Sequence, residues 1–136
     1  MNLIVYTDGA SRGNPGPASY GYVIQEKGGA ILHQAGKTLG VTTNNVAEYN
    51  GALAALTYIK ERWGSEVTNI ELRADSRLVI EQLAGRFKMK SPHLRLIFEQ
   101  IKKIEAEIAP IKFTHVPRAE NFIADRLANQ ALDGEI

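Results

Sequence analysis

Residues 3–17 read LIVYTDGASRGNPGP, and this stretch decides the fold. Leu3, Ile4, Val5, Tyr6 and Thr7 are apolar or β-forming residues in one short run, which predicts a strand. Asp8 falls where that strand is expected to end. Gly9, Gly13, Asn14, Pro15, Gly16 and Pro17 follow, a dense turn signal. A carboxylate is thus held at a strand end beside a glycine-rich connection. Residues 18–26 and 30–39 alternate loosely around Lys27-Gly28-Gly29, which predicts a hairpin. The opening third is therefore expected to be three antiparallel strands.

Beyond them the pattern changes period. Thr42-Thr43-Asn44-Asn45 is a run of capping side chains. A helix is expected from Val46 to Arg62, stopping near Gly64. Residues 67–74 predict a fourth strand. Asp75-Ser76 opens a short helix with Leu78, Val79, Ile80 and Leu83 on or near its buried side. Ser91-Pro92 is a helix start, and Leu94, Ile97, Phe98, Ile101, Ile104 and Ile108 recur at helical spacing up to Pro110. Residues 111–116 predict a last strand and 120–133 a last helix. The order is βββ, αβα, a further helix, then βα. Strand–helix–strand units imply parallel pairing with right-handed crossovers, so an α/β class with one mixed five-stranded sheet is expected.

The bulk properties fit one domain spanning residues 1–136. The chain is 44% hydrophobic and 23% charged, enough to bury a core without staples. It holds no cysteine, which excludes disulfides and thiolate metal sites. The first residues lack the basic start and long apolar stretch of a signal peptide, and no run reaches membrane-spanning length. A cytoplasmic protein without membrane contact is expected. Sixteen Lys and Arg against 15 Asp and Glu leave a net charge of +1, which by itself does not mark a nucleic-acid binder. Arg86, Lys88, Lys90, His93 and Arg95 form a local basic run that also fits a solvated loop.

Four acids fall at informative places: Asp8 after the first strand, Glu48 in the first turns of the long helix, Asp75 after the fourth strand, and Asp125 early in the last helix. In open sheets with parallel strands, sites form beyond the strands' carboxyl ends. Clustered carboxylates repel, and a hard divalent cation resolves the conflict. On topology alone a solvated surface stays open, as do a capping role for Asp75-Ser76 and a helix-start role for Asp125.

At these residues the sequence resembles type 1 ribonuclease H. The resemblance rests on Tyr6 to Pro17, Thr42 to Tyr49, Ala74-Asp75-Ser76 with Leu78-Val79, and His115 with Glu120-Asn121 and Asp125. It runs from about Asn2 to Leu132. It implies the ribonuclease H-like fold, with helices on both faces of the sheet. It implies an endonuclease that cuts the RNA strand of RNA–DNA hybrids, leaving 5′-phosphate and 3′-hydroxyl ends. Two Mg2+ ions are implied, with Mn2+ as a substitute. Asp8 would bridge both ions, Asp125 would hold the one carrying the attacking water, and Glu48 and Asp75 the one beside the leaving oxygen. His115 would assist proton transfer or product release. Gly9, Ser11, Asn14, Thr43, Asn44 and Asn45 would contact the duplex, and a monomer is expected.

The sequence also departs from that family. Well-known bacterial relatives carry a lysine-rich helix and loop where residues 86–92 are short. Val41 replaces a basic residue of some relatives. Val116-Pro117-Arg118-Ala119 differs from their glycine-containing loop. These departures open duplex RNA as an additional substrate. The competing readings are a binding module of the same fold without catalysis, and a metal-dependent phosphatase or other nuclease on a related fold.

Overall fold

The computed structural model describes residues 1–136. Five strands form one sheet: β1 Asn2–Ser11, β2 Gly16–Glu26, β3 Ile31–Thr42, β4 Asn69–Ala74 and β5 Ile111–His115. Their spatial order is β3-β2-β1-β4-β5. The first three pair antiparallel, while β4 and β5 run parallel to β1. The helices are α1 Asn44–Arg62, α2 Arg77–Leu83, α3 Pro92–Ile108 and α4 Phe122–Leu132. No helix is long and apolar enough to cross a membrane.

The two faces of the sheet bury different residues, as period-2 alternation requires. Leu3 and Val5 of β1, with Tyr20, Tyr22 and Ile24 of β2, join α1, α2 and α3 in one core of 25 buried residues. Tyr49, Leu56, Ile59, Val79, Ile80, Leu83 and Ile101 are its largest fully buried helical members. On the opposite face α4 lies over β2, β3 and β1. There Gly21 has no room for a side chain: an added Cβ would stand 2.3 Å from the carbonyl oxygen of Ala124. Ser19 donates to the Ala128 carbonyl at 2.5 Å, which closes this second layer. The expected helices on both faces are therefore present.

Several local expectations change. β1 does not stop before Asp8 but continues to Ser11, because β2 keeps pairing with it through Asp8↔Gly21 and Ser11↔Ala18. Helix α1 starts two residues earlier than its apolar pattern, since Thr43 Oγ1 accepts from Val46 N. The last helix begins at Phe122 rather than residue 120, after a 3-10 turn over Arg118–Asn121. β4 begins at Asn69 and β5 ends at His115. Leu78 is 43% exposed, so the buried side of α2 is carried by Val79, Ile80 and Leu83. Gly85, with φ of +81°, follows α2 in the left-handed region and ends it as expected.

Candidate active site

β1 and β4 are hydrogen-bonded neighbours only as far as Tyr6↔Arg73. Past that pair β1 stays with β2, and β4 ends at Ala74. The sheet forks there, and a cleft opens between the diverging strands. It is lined by Asp8, Gly9, Ala10 and Ser11 of β1 and by Asn44, Asn45 and Glu48 of α1. Asp75, Ser76, Arg118, Asp125 and Asn129 complete it.

The carboxylates converge in this cleft. One oxygen each from Asp8, Glu48 and Asp75 lie within 4.8 Å of one another. Asp125 is outside that tight trio, but its carboxyl faces Asp8 closely enough to raise the Asp8 pKa. Glu48 reaches the cleft because Gly9 lets α1 come close. A Cβ on Gly9 would lie 2.3 Å from the Glu48 backbone nitrogen. Its missing side chain is thus used first by the protein's own helix. Asn121 fixes the other side: it is buried and donates through Nδ2 to the Thr7 carbonyl at 2.8 Å, anchoring the start of α4 to β1.

The electrostatics show unresolved repulsion. Burial, then Glu48, Asp125 and Asp75, push Asp8 up to about 10. Glu48 is also raised, by burial first and then by Asp75, although the Gly9 backbone N–H and the Asp8 side chain oppose the rise. Of the two acids, Asp8 is held the further above the ordinary carboxylate range. Glu48 Oε2 is buried without any hydrogen-bond partner. A lone pair left bare among carboxylates is what a hard cation would fill, and the donor set is all oxygen.

Asp125 has two polar neighbours. Asn129 Nδ2 lies 3.0 Å from its carbonyl oxygen and 3.4 Å from its carboxylate. Arg118 approaches the same carboxylate oxygen at 3.8 Å. Neither was expected to line the cleft. Asn129 was legible in principle, because Asp125 and Asn129 are four apart on one helix face. Arg118 was not, since the 3-10 turn that aims it shows no periodic signal.

The expected duplex contacts divide. Ser11, Asn44 and Asn45 line the cleft with Gly9. Ser11 Oγ lies 2.8 Å from Asn44 Oδ1 and also against the Gly13 carbonyl, two acceptors for its one hydroxyl proton. Asn14 and Thr43 stand behind the lining: Asn14 Oδ1 accepts from Asn44 N at 3.0 Å, and Thr43 caps α1. They hold the Asn44 end of the helix in place. His115 is exposed at the end of β5, paired with Ala74 and outside the cleft lining.

Residues 6–131 match the model of the family described as "Reverse transcriptase-like". The crystal structure of RNase H1 from Halobacterium salinarum superimposes with a TM-score of 0.91. It is 42% identical, with 98% of this chain and 99% of that one covered. The crystal structure of LC11-RNase H1 in complex with an RNA/DNA hybrid gives 0.92 at 41% identity, covering 98% of both chains. A bifunctional protein of Mycobacterium tuberculosis is 40% identical over 134 residues, which are 98% of this chain. The chain spans only 36% of that relative's length. The chain belongs to this reverse transcriptase-like family and, within it, to the type 1 ribonuclease H group.

Proposed function

We propose that the protein is a ribonuclease H: a metal-dependent endonuclease that hydrolyses the RNA strand of an RNA–DNA hybrid to 5′-phosphate and 3′-hydroxyl ends. The observation that carries this is the meeting of Asp8, Glu48 and Asp75 within 4.8 Å, with Asp125 against Asp8, in an open polar cleft. The similarity to a protein solved with an RNA/DNA hybrid supports the choice of substrate.

The donor set fits magnesium, with manganese as substitute, because hard divalent ions take carboxylate oxygens and Glu48 Oε2 has no other partner. Asp8, Glu48, Asp75 and Asp125 would hold two such ions, which when bound activate water and stabilise the leaving oxygen of a phosphodiester. Asp8, central among the acids, would serve both ions; Asp125 would help hold the one that activates the attacking water, and Glu48 and Asp75 the one that stabilises the leaving 3′ oxygen. Asn129 and Arg118 orient the Asp125 carboxylate. Ser11, Asn44 and Asn45 offer hydroxyl and amide groups to the sugars and base edges of the duplex, the contacts by which RNA is told from DNA. Thr43 and Asn14 hold the start of α1, whose N-terminus favours a phosphate. His115, exposed at the end of β5 beside the strand end that Asp75 follows, would assist proton transfer or product release. One chain carries every group of the site, which supports a working monomer.

The test is a cleavage panel of hybrid, duplex RNA, duplex DNA and a small phosphate ester, in magnesium and in manganese. Hybrid is expected to be cut in its RNA strand, with duplex RNA as the second substrate to watch. No hybrid cleavage in either metal would sink the reading.

A further inference from the structure

Below the fork of the sheet, a chain of polar contacts crosses three strands. Arg73 of β4 donates through one terminal nitrogen to the Tyr6 hydroxyl of β1 at 2.7 Å. Its guanidinium also stands over the Tyr6 ring, 5.5 Å from the centroid. Its other terminal nitrogen binds Glu71 at 3.2 Å, and Glu71 accepts from Thr114 Oγ1 of β5 at 2.8 Å. None of these residues lines the cleft.

Their register gives them a use. Tyr6↔Arg73 is the last pair of β1 with β4, and Arg73↔Thr114 continues the same level into β5. Asp8 follows Tyr6 by two residues and Asp75 follows Arg73 by two. The Arg73–Tyr6 bond therefore sits at the vertex of the fork whose two arms carry the two acids. Those acids bring carboxylate oxygens within 4.8 Å of each other at the mouth, where like charges repel. The distance between them depends on where the strands part. The arginine is an uneconomical way to hold a sheet together, since its Nε is buried without a partner. Its charge is met by Glu71 rather than by the cleft acids.

We propose that Arg73, through Tyr6, is a positioning residue that sets the separation of Asp8 and Asp75 and thereby the affinity of the cleft for divalent cations. Glu71 and Thr114 hold the guanidinium in its plane from the β5 side. This rests on the metal-dependent reading of the site given above.

The test uses Tyr6→Phe, which removes one hydroxyl and keeps the ring, together with Arg73→Met and Arg73→Lys. Manganese binding is measured by calorimetry on the whole protein, beside hybrid cleavage across a magnesium titration. Loss of a group that orients metal ligands from outside the ligand set typically changes metal affinity by about 10–100-fold. Arg73→Met is expected to weaken manganese binding by about ten-fold and to shift the magnesium needed for half-maximal cleavage by a similar factor. KM for hybrid at saturating metal should stay within about two-fold of the parent, because the cleft lining is untouched. Tyr6→Phe should show a smaller shift in the same direction, and Arg73→Lys a partial rescue. Folded variants that bind manganese as tightly as the parent overturn the proposal. If the parent binds manganese but leaves hybrid intact, the nuclease reading fails. A weaker affinity in the variants would still uphold the positioning role.

Discussion

Replacing Asp8 by asparagine should make the metal-free protein more stable while abolishing cleavage. Asp8 is buried, and its carboxyl is pushed up to about 10, first by loss of water and then by its acidic neighbours. The unfolded chain releases that proton near pH 3.8, whereas the native cleft retains it. A folded-state pKa above the unfolded one means stability that is fully present below the unfolded value. It is lost progressively as pH rises toward the folded value. Each pH unit in that window costs about 1.4 kcal/mol, so the penalty at pH 7 has an upper bound of about 4 kcal/mol. Sharing the proton with Glu48 reduces this, and a gain of about 1–4 kcal/mol is expected for Asp8→Asn at pH 7. The introduced amide meets carboxylate acceptors on Glu48 and Asp125, so it creates no unpaired donor. At about 4 °C per kcal/mol for a chain of this size, the melting temperature should rise by several degrees. The assay is thermal unfolding followed by circular dichroism, in EDTA, from pH 4 to pH 8. Parent and variant should converge near pH 4 and separate steadily above it. Millimolar magnesium should stabilise the parent at pH 7 and leave the variant almost unmoved. A variant that melts at or below the parent at pH 7, with an unchanged pH profile, would refute the argument that the acids are held together against their own repulsion.

Further expectations follow from single contacts. Gly9→Ala places a Cβ 2.3 Å from the Glu48 backbone, so α1 must shift; urea unfolding should show a loss of about 1–3 kcal/mol together with weaker magnesium dependence of cleavage. Asn121→Ala frees the buried Thr7 carbonyl, and denaturant unfolding should register about 1–3 kcal/mol of destabilisation. Arg118 is the only basic side chain lining the cleft and is largely exposed. Arg118→Ala should barely change the melting temperature but should lower the slope of log affinity against log salt for hybrid by about one unit. That slope should be shallow in the parent too, and a steep one in fluorescence anisotropy would reveal a basic surface larger than Arg118 and the 86–95 run.

Much of this protein could be read along the chain, because the deciding signals are local. The run Leu3 to Thr7, the turn at Gly28, the caps at Thr43, Ser76 and Ser91, and the stop at Pro110 each act within a few residues of themselves. The four acids were visible as well, since each lies beside a motif at the end or start of an element. The departures from these local signals have tertiary causes. Asp8 is inside a strand rather than after one, because β2 extends the pairing past it. Leu78 has helical neighbours on its buried side yet turns outward with the orientation of α2. Helix α4 starts late because residues 118–121 wind into a tighter turn that aims Arg118 at Asp125.

By itself the sequence determined the element order, the helix caps, the identity of the acids and the family they resemble. These depend on side-chain chemistry and spacing, which the chain carries with it. Only the tertiary structure decided that Asp8, Glu48 and Asp75 form a tight trio while Asp125 stands to one side. It also showed that His115 lies outside the cleft lining, and that Asn14 and Thr43 brace the cleft rather than line it. The reason is that these distances are set where β1 and β4 part after Tyr6 and Arg73, residues 67 positions apart in the chain. No pattern of period 2 or 3.6 encodes where two strands diverge. That is fixed by the pairing, the packing of α1 against Gly9 and the contacts that tie one strand to the next.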